Sequence, residues 1–200
     1  DDNPYKFYEY NDDLNTVTVT DENGNQSMTK KDEVDRVVEQ ALGLHSESMI
    51  TNYFGYDSLG NKTSETDGRG NTVLFVYDDL NRLVSKTLPA TEILNNPDSL
   101  PTVKSPRYTY EYDREGNVIK EISPLGTVVT RTYDEMNREI RTMTVFTVKD
   151  GVKKTAVTKT FYDLTGNKIE VVDANGKSTR FEYTARGWLK RKIDPNGGVT

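Results

Sequence analysis

The chain has 200 residues, 26 Lys and Arg against 32 Asp and Glu, a net charge of -6 and no Cys. Scattered Lys and Arg in an acidic chain exclude a nucleic-acid interface, which needs a basic stripe, and the missing Cys excludes a disulfide framework and a thiolate metal site. Apolar residues make up 34%, below the usual globular share of about 45–50%, and no apolar run reaches the roughly 18 residues of a membrane-spanning helix.

The first predicted strand runs into Tyr10, where a six-residue motif begins that the chain keeps returning to. Copies start at Tyr10, Lys31, Tyr56, Tyr77, Tyr112, Tyr133, Tyr162 and Tyr183. Their second position is Asp in most copies, including Asp57, Asp78, Asp113, Asp134 and Asp163. Odd copies carry Asn15, Asn61, Asn117 and Asn167 at the sixth position, and even copies Arg36, Arg82 and Arg138, with Trp188 departing. Within a pair the copies always lie 21 residues apart, whereas between pairs the spacing is 25, 35 and 29. A fixed inner and variable outer spacing predicts a rigid paired unit joined by tolerant loops.

Each copy reads as a tight turn. Asp at its start accepts backbone N–H groups ahead of it, and Gly60, Gly116 or Gly166 supplies the left-handed residue. A second set of turns ends at Gly24, Gly70, Gly126 and Gly176, each 14 residues after an odd copy begins. Turns thus recur about every ten residues and leave strands of six or seven, rich in Val, Ile, Thr, Tyr and Phe. Phe54 with Tyr56, Phe75 with Tyr77, Tyr110 with Tyr112 and Phe181 with Tyr183 share a strand face, which predicts an aromatic ladder across neighbouring strands.

Along the chain, three stretches need separate treatment. Val34, Val37, Val38, Ala41 and Leu42 have helical spacing, but 31–38 aligns residue for residue with 77–84, which predicts strand–turn–strand. Residues 89–107 contain Pro89, Pro97, Pro101 and Pro106 and read as a long surface loop. Residues 144–161 read as an extra hairpin around a two-residue Asp150-Gly151 turn. The sequence starts abruptly at Asp1 and stops within a repeat at Thr200, so it is expected to be a piece of a longer chain. The predicted fold is all-β, one continuous twisted antiparallel sheet of stacked β-hairpins. Residues 1–200 form a single array, with paired units starting near 10, 56, 112 and 162. Some sixteen strands at about 4.8 Å each would run on the order of 75 Å, an extent at which open sheets curl.

The recurring Tyr-Asp-x-x-Gly, with a second Gly at fixed distance, resembles the YD repeat of the Rhs (rearrangement hot spot) family, over about residues 5 to 198. That family includes Rhs toxins, shell components of Tc toxin complexes, bacterial wall-associated proteins and teneurins. The resemblance implies a strip of hairpins spiralling into a hollow shell, which in the toxins encloses a C-terminal effector. It also implies a secreted or cell-surface bacterial setting. In several members a terminal core frees the effector by aspartate-based autoproteolysis. Asp194-Pro195 superficially resembles that core, but Gly197 lies 14 residues after Tyr183, so 194–197 reads as the next turn.

No catalytic, cofactor or metal residues emerge. Asp-x-Asn-Gly turns fall short of the six or seven oxygens of a calcium loop. Asp12-Asp13 and Asp78-Asp79 sit in turns as solvated pairs rather than as an acid–base couple. His45 has no nucleophile in context. Asn25 and Asn61 lie in glycosylation sequons. The residues singled out, Tyr10, Tyr56, Tyr77, Tyr112, Tyr133, Tyr162 and Tyr183 with the Asp and Gly partners named above, are structural. The expected role is a non-enzymatic wall segment whose partners are the rest of its own shell and an enclosed effector. A second reading is a carbohydrate- or cell-surface-binding module, in which exposed Tyr and Trp rows would stack on sugar rings.

Overall fold

Every tight turn of the chain drives the backbone straight back beside itself, and the sheet follows from that. The computed structural model describes residues 6–93 and 102–200, and all its regular elements there are strands. Sixteen of them form one antiparallel sheet in chain order. By proximity the chain divides at 107/108 into two units.

The first unit lays down β1 (Phe7–Asn11), β2 (Thr16–Thr20), β3 (Gln26–Lys31), β4 (Val37–Leu42), β5 (Ile50–Tyr56), β6 (Lys62–Thr66), β7 (Thr72–Tyr77) and β8 (Leu83–Thr87). Each pairs with the next. Residues 31–42 are strand–turn–strand, as the repeat register requires and the helical spacing does not. The stretch read as a long proline-rich loop instead contains two short paired strands, β9 (Thr91–Ile93) and β10 (Thr102–Lys104). Pro89 and Pro106 fall outside this ladder, and Pro97 and Pro101 lie outside the described residues.

From Tyr108 onward the second unit contains the rest of β11 (Arg107–Tyr112), then β12 (Val118–Ile122), β13 (Val128–Tyr133), β14 (Glu139–Thr147), β15 (Lys153–Tyr162), β16 (Lys168–Val172), β17 (Ser178–Tyr183) and β18 (Leu189–Ile193). Residues 144–161 form a hairpin, as expected, within the longer pair β14 and β15. They lengthen the two strands that already join one motif pair to the next, with seven cross-strand pairs between β14 and β15. Their turn, however, is not a two-residue one. The Gly151 N–H donates to Val148 O, the Val148 N–H to Val152 O, and only Gly151 takes positive φ, which is the same loop used elsewhere in the chain.

Seven of the eight motif copies carry a β-bulge immediately before their first residue, for example between Gly55 and Tyr56 and between Val76 and Tyr77. The same loop, with its left-handed Gly, closes 67–71 and 148–152 without a register shift, so the bulge is a separate feature of the motif copies. The Tyr10 copy departs from the pattern. Leu14 stands where the other copies have Gly, Asn or Asp, and a branched side chain is strained at positive φ. The turn therefore slips by one residue, Asn15 takes φ 51, and β1 pairs with β2 without a bulge. Asn15 thus does the work of Gly60, not of Asn61.

Register sorts the side chains of the first unit onto two faces. Tyr8, Tyr10, Val17, Val19, Phe54, Tyr56, Val73, Phe75 and Tyr77 share one, and Thr16, Thr18, Thr20, Met28, Ala41, Ser64, Thr66 and Ser85 the other. Among the described residues, neither face carries a second layer within this unit. Among the described residues only Ala41 and Ser85 are buried, the Ser85 hydroxyl accepting from Arg107 Nε at 2.7 Å. The chain exposes 14662 Å², where a compact monomer of 22.7 kDa would expose roughly 9,500 Å².

Candidate functional site

Within each unit the motif turns fall on one side of the sheet, and they are where the chain concentrates its side-chain chemistry. In each regular copy the Asp closes its own turn. Asp57 Oδ1 accepts the N–H groups of Leu59 at 3.0 Å and Asn61 at 2.8 Å, while Oδ2 accepts the Asn61 amide at 3.0 Å. Asp113 and Asp163 hold Asn117 and Asn167 in the same way. In even copies the side-chain partner is cationic, Arg36 on Asp32, Arg82 on Asp78 and Arg138 on Asp134, at 2.7 to 2.8 Å.

These bonds favour the ionised form. Asp57 and Asp113 are held below the ordinary carboxylate range first by the Asn amide, Asp78 and Asp134 first by the Arg side chain, and Asp32 first by the Arg36 N–H. Asp163 has the Asn167 amide and then the Thr165 hydroxyl on it and is pushed down to about 2.

The motif also ties each copy to its neighbours. Tyr77 donates its hydroxyl to Lys62 O at 3.0 Å, Tyr56 to Val37 O at 2.9 Å, Tyr133 to Val118 O at 3.1 Å, Tyr162 to Glu139 O at 3.2 Å and Tyr183 to Lys168 O at 2.9 Å. Every acceptor directly follows the sixth residue of the preceding copy. Such a bond contributes about 0.5–1.5 kcal/mol net, and it explains why the position is Tyr rather than Phe. Within a pair, Asn61 donates to Asn81 Oδ1 at 2.9 Å and Asn117 to Asn137 Oδ1 at 3.0 Å. Between pairs, Arg36 reaches Asp57 O at 3.0 Å and lies 4.8 Å from the Tyr56 ring centre. Arg138 repeats this on Asp163 and Tyr162 at 3.3 and 4.6 Å. A guanidinium over an aromatic face gains about 0.5–1 kcal/mol at an exposed site.

Where the motif departs, another group takes over. Lys31 has no ring to offer, and there Asn15 Nδ2 donates to both Lys31 O and Asp32 O, at 3.1 and 2.8 Å. In the Tyr183 copy the Asp is replaced by Thr184, whose hydroxyl accepts the Trp188 N–H at 3.2 Å.

Of the sequence-predicted residues, Gly60, Gly116 and Gly166 have φ of 88, 91 and 93, and Gly70, Gly126 and Gly176 close the turns at the opposite strand ends with φ of 83, 76 and 79. Tyr10 is exposed and lies near the end of β1. Three contributors escaped the sequence reading. Asn81 and Asn137 supply positive φ where odd copies use Gly, which their shared fifth position signals. Lys62 inserts its amine between the Phe54 and Phe75 rings, at 5.7 and 5.3 Å, so a cation interleaves the aromatic ladder.

Open clefts separate the paired turns, such as one of about 580 Å³ between the turns at 13–15 and 32–36. Among the described residues no group of three or more His, Asp or Glu could hold a metal ion. The 194–197 segment is an ordinary turn, with the Gly197 N–H on Asp194 O at 3.0 Å.

The sequence pattern described as RHS Repeat matches residues 52–93, 112–145 and 162–199. No curated protein matches the chain. Among solved structures, the crystal structure of TcdB2-TccC3 superposes with a TM-score of 0.65 at 15% identity, over 94% of this chain and 11% of that one. The crystal structure of TcdB2-TccC3-Cdc42 gives 0.63 at 12% identity, over 96% and 12%. A mutant Tc holotoxin pore from Photorhabdus luminescens gives 0.60 at 16% identity, over 94% and 12%. The likeness is one of fold, and the chain spans about an eighth of the length of those it matches.

Proposed function

The chain belongs to the RHS repeat family, and from that premise we propose that it forms part of the wall of a β-sheet shell enclosing an effector, in a secreted or surface-displayed bacterial protein. The observation that carries this reading is the lack of a second layer over the described strands. Apart from Ala41 and Ser85, none of the described side chains is buried, yet each turn is locked to its neighbours. A sheet stiffened at its turns and bare on both faces suits a partition, with solvent on one side and a lumen on the other. The segment itself is non-catalytic, and its partners are the remaining wall and the enclosed cargo. The alternative, a sugar-binding platform, needs an exposed aromatic row, and five of the motif Tyr rings instead spend their hydroxyls on neighbouring carbonyls.

Face-selective labelling tests the proposal. Thr18 and Thr29 lie on opposite faces of neighbouring strands, both half-buried. In the full-length protein freed of other cysteines, Thr18→Cys and Thr29→Cys should differ sharply in reaction with a bulky maleimide, because only one face of a closed wall meets bulk solvent. Equal reaction of both would overturn the reading.

A further inference from the structure

Charged side chains that face each other across the sheet are matched in sign, with one exception. Lys30 faces Glu39, Glu111 faces Lys120, Glu170 faces Arg180 and Glu182 faces Arg191. Among the described cross-strand pairs, only Arg141 and Lys159 set like charges directly opposite one another, an arrangement that works against the sheet. Among the described residues neither of them has an ion-pair partner. The Arg141 guanidinium donates to the neutral Met143 Sδ at 3.6 Å. The acidic groups of the adjoining elements are committed elsewhere. Asp134 holds Arg138, Glu139 meets Thr142 and Arg131, and Glu170 meets Ser178 and Arg180. The two cations border a hollow of about 390 Å³ that Ile140, Phe161 and Tyr162 also line. Phe161 lies two residues from Lys159 on the same face and is 45% exposed. Arg138 lines the hollow too, but its donors are spent on Asp134 and on Asp163 O.

We propose that the Arg141–Lys159 pair is an oxyanion-binding site that takes a small organic acid, a carboxylate or phosphate carried on a flat apolar body. The guanidinium offers a planar fork and the ammonium a compact charge. Cross-strand Cβ atoms about 5 Å apart let both reach one oxyanion. An anion between them turns mutual repulsion into attraction on both sides. The Phe161 ring and Ile140 supply apolar surface beside it for the rest of the ligand. The hollow falls at the lower end of the range for small-molecule sites, about 300–1,000 Å³. A local rule broken with no return inside the fold is what a binding function leaves in a sequence. The site needs only β14, β15 and their side chains, so it goes beyond the wall reading and does not depend on it.

Hydrogen exchange followed by mass spectrometry reads the site locally in the full-length protein, with phenyl phosphate as the probe. Exchange across 139–147 and 153–162 should slow as the probe is added, by about tenfold at about ten times its dissociation constant. That constant is expected below about 1 mM. Benzyl alcohol, which has a similar ring and no charge, should leave the exchange unchanged. The double variant Arg141→Gln with Lys159→Gln should exchange no faster than the parent without probe, because the repulsion is gone, and should lose the probe's effect. Lys159→Glu, which makes the pair opposite in sign, should slow exchange with no probe present and also abolish the response. Benzoate as effective as phenyl phosphate would define a general oxyanion site, and a response to phenyl phosphate alone a phosphate site. No slowing by either at ten times that limit, or equal slowing in the double variant, would overturn the proposal.

Discussion

At the scale of single residues, the motif Asp is a clamp with both oxygens in use, one on two backbone N–H groups and the other on an Asn or Arg side chain. Its pKa is depressed, so the stability it contributes is present above the unfolded carboxylate pKa and is lost as pH falls through the folded value. Asp163 is pushed down to about 2, and the other motif carboxyls shift the same way. Melting temperature should therefore stay level from neutral pH to about 4 and fall steeply between about 4 and 2, with Asp163→Asn removing part of that slope. Thermal unfolding monitored across that range checks it, and a steep loss already at about pH 6 would contradict it. Gly116 has φ 91 with nothing within 4 Å of where a Cβ would stand, so only the backbone resists substitution there. Gly116→Val should cost more than about 1 kcal/mol in urea unfolding, and Gly116→Asn clearly less. Tyr77→Phe, which removes the hydroxyl from Lys62 O, should cost about 0.5–1.5 kcal/mol in the same measurement.

At the scale of elements, the tight turn at 148–152 lacks a side-chain clamp, because Val148 stands where the regular turns place Asp, Asn, Ser or Thr. Its backbone bonds are already formed. Val148→Asp with Val152→Asn should therefore stabilise β14–β15 by up to about 1 kcal/mol, read as a raised unfolding midpoint. The same elements show what the sequence could and could not reveal. Lys31–Val38 was legible as strand–turn–strand because a turn is specified by a few local residues, and the repeat supplied its register. The slipped Tyr10 turn follows from weighing Leu14 against the left-handed conformation, whereas counting Asn15 as a sixth position hides it. The 144–161 hairpin was legible but its turn was not, because Asp-Gly signals a two-residue turn in isolation, while the flanking strand pairing selects the longer loop. The Tyr77–Lys62 and Asn61–Asn81 bonds join residues 15 and 20 positions apart. They depend on a bulge that shifts the register by one, and no local pattern announces that.

At the scale of the whole molecule, stability comes from strand pairing and turn locks, with almost no apolar interior among the described residues. Unfolding such a chain exposes less new surface than unfolding a compact domain of the same mass, so its heat-capacity change should fall below the usual ~12–15 cal/mol/K per residue. Calorimetry on the chain checks this, and an ordinary value would mean that the faces are covered. The central claim, that this sheet is a partition one layer thick, is tested most directly by electron cryomicroscopy of the full-length protein. The account predicts a hollow particle in which the sixteen sheet strands lie in a single-layer wall, with solvent against one face and a lumen against the other. Density in which both faces of this sheet are packed against further layers of a filled domain would contradict it.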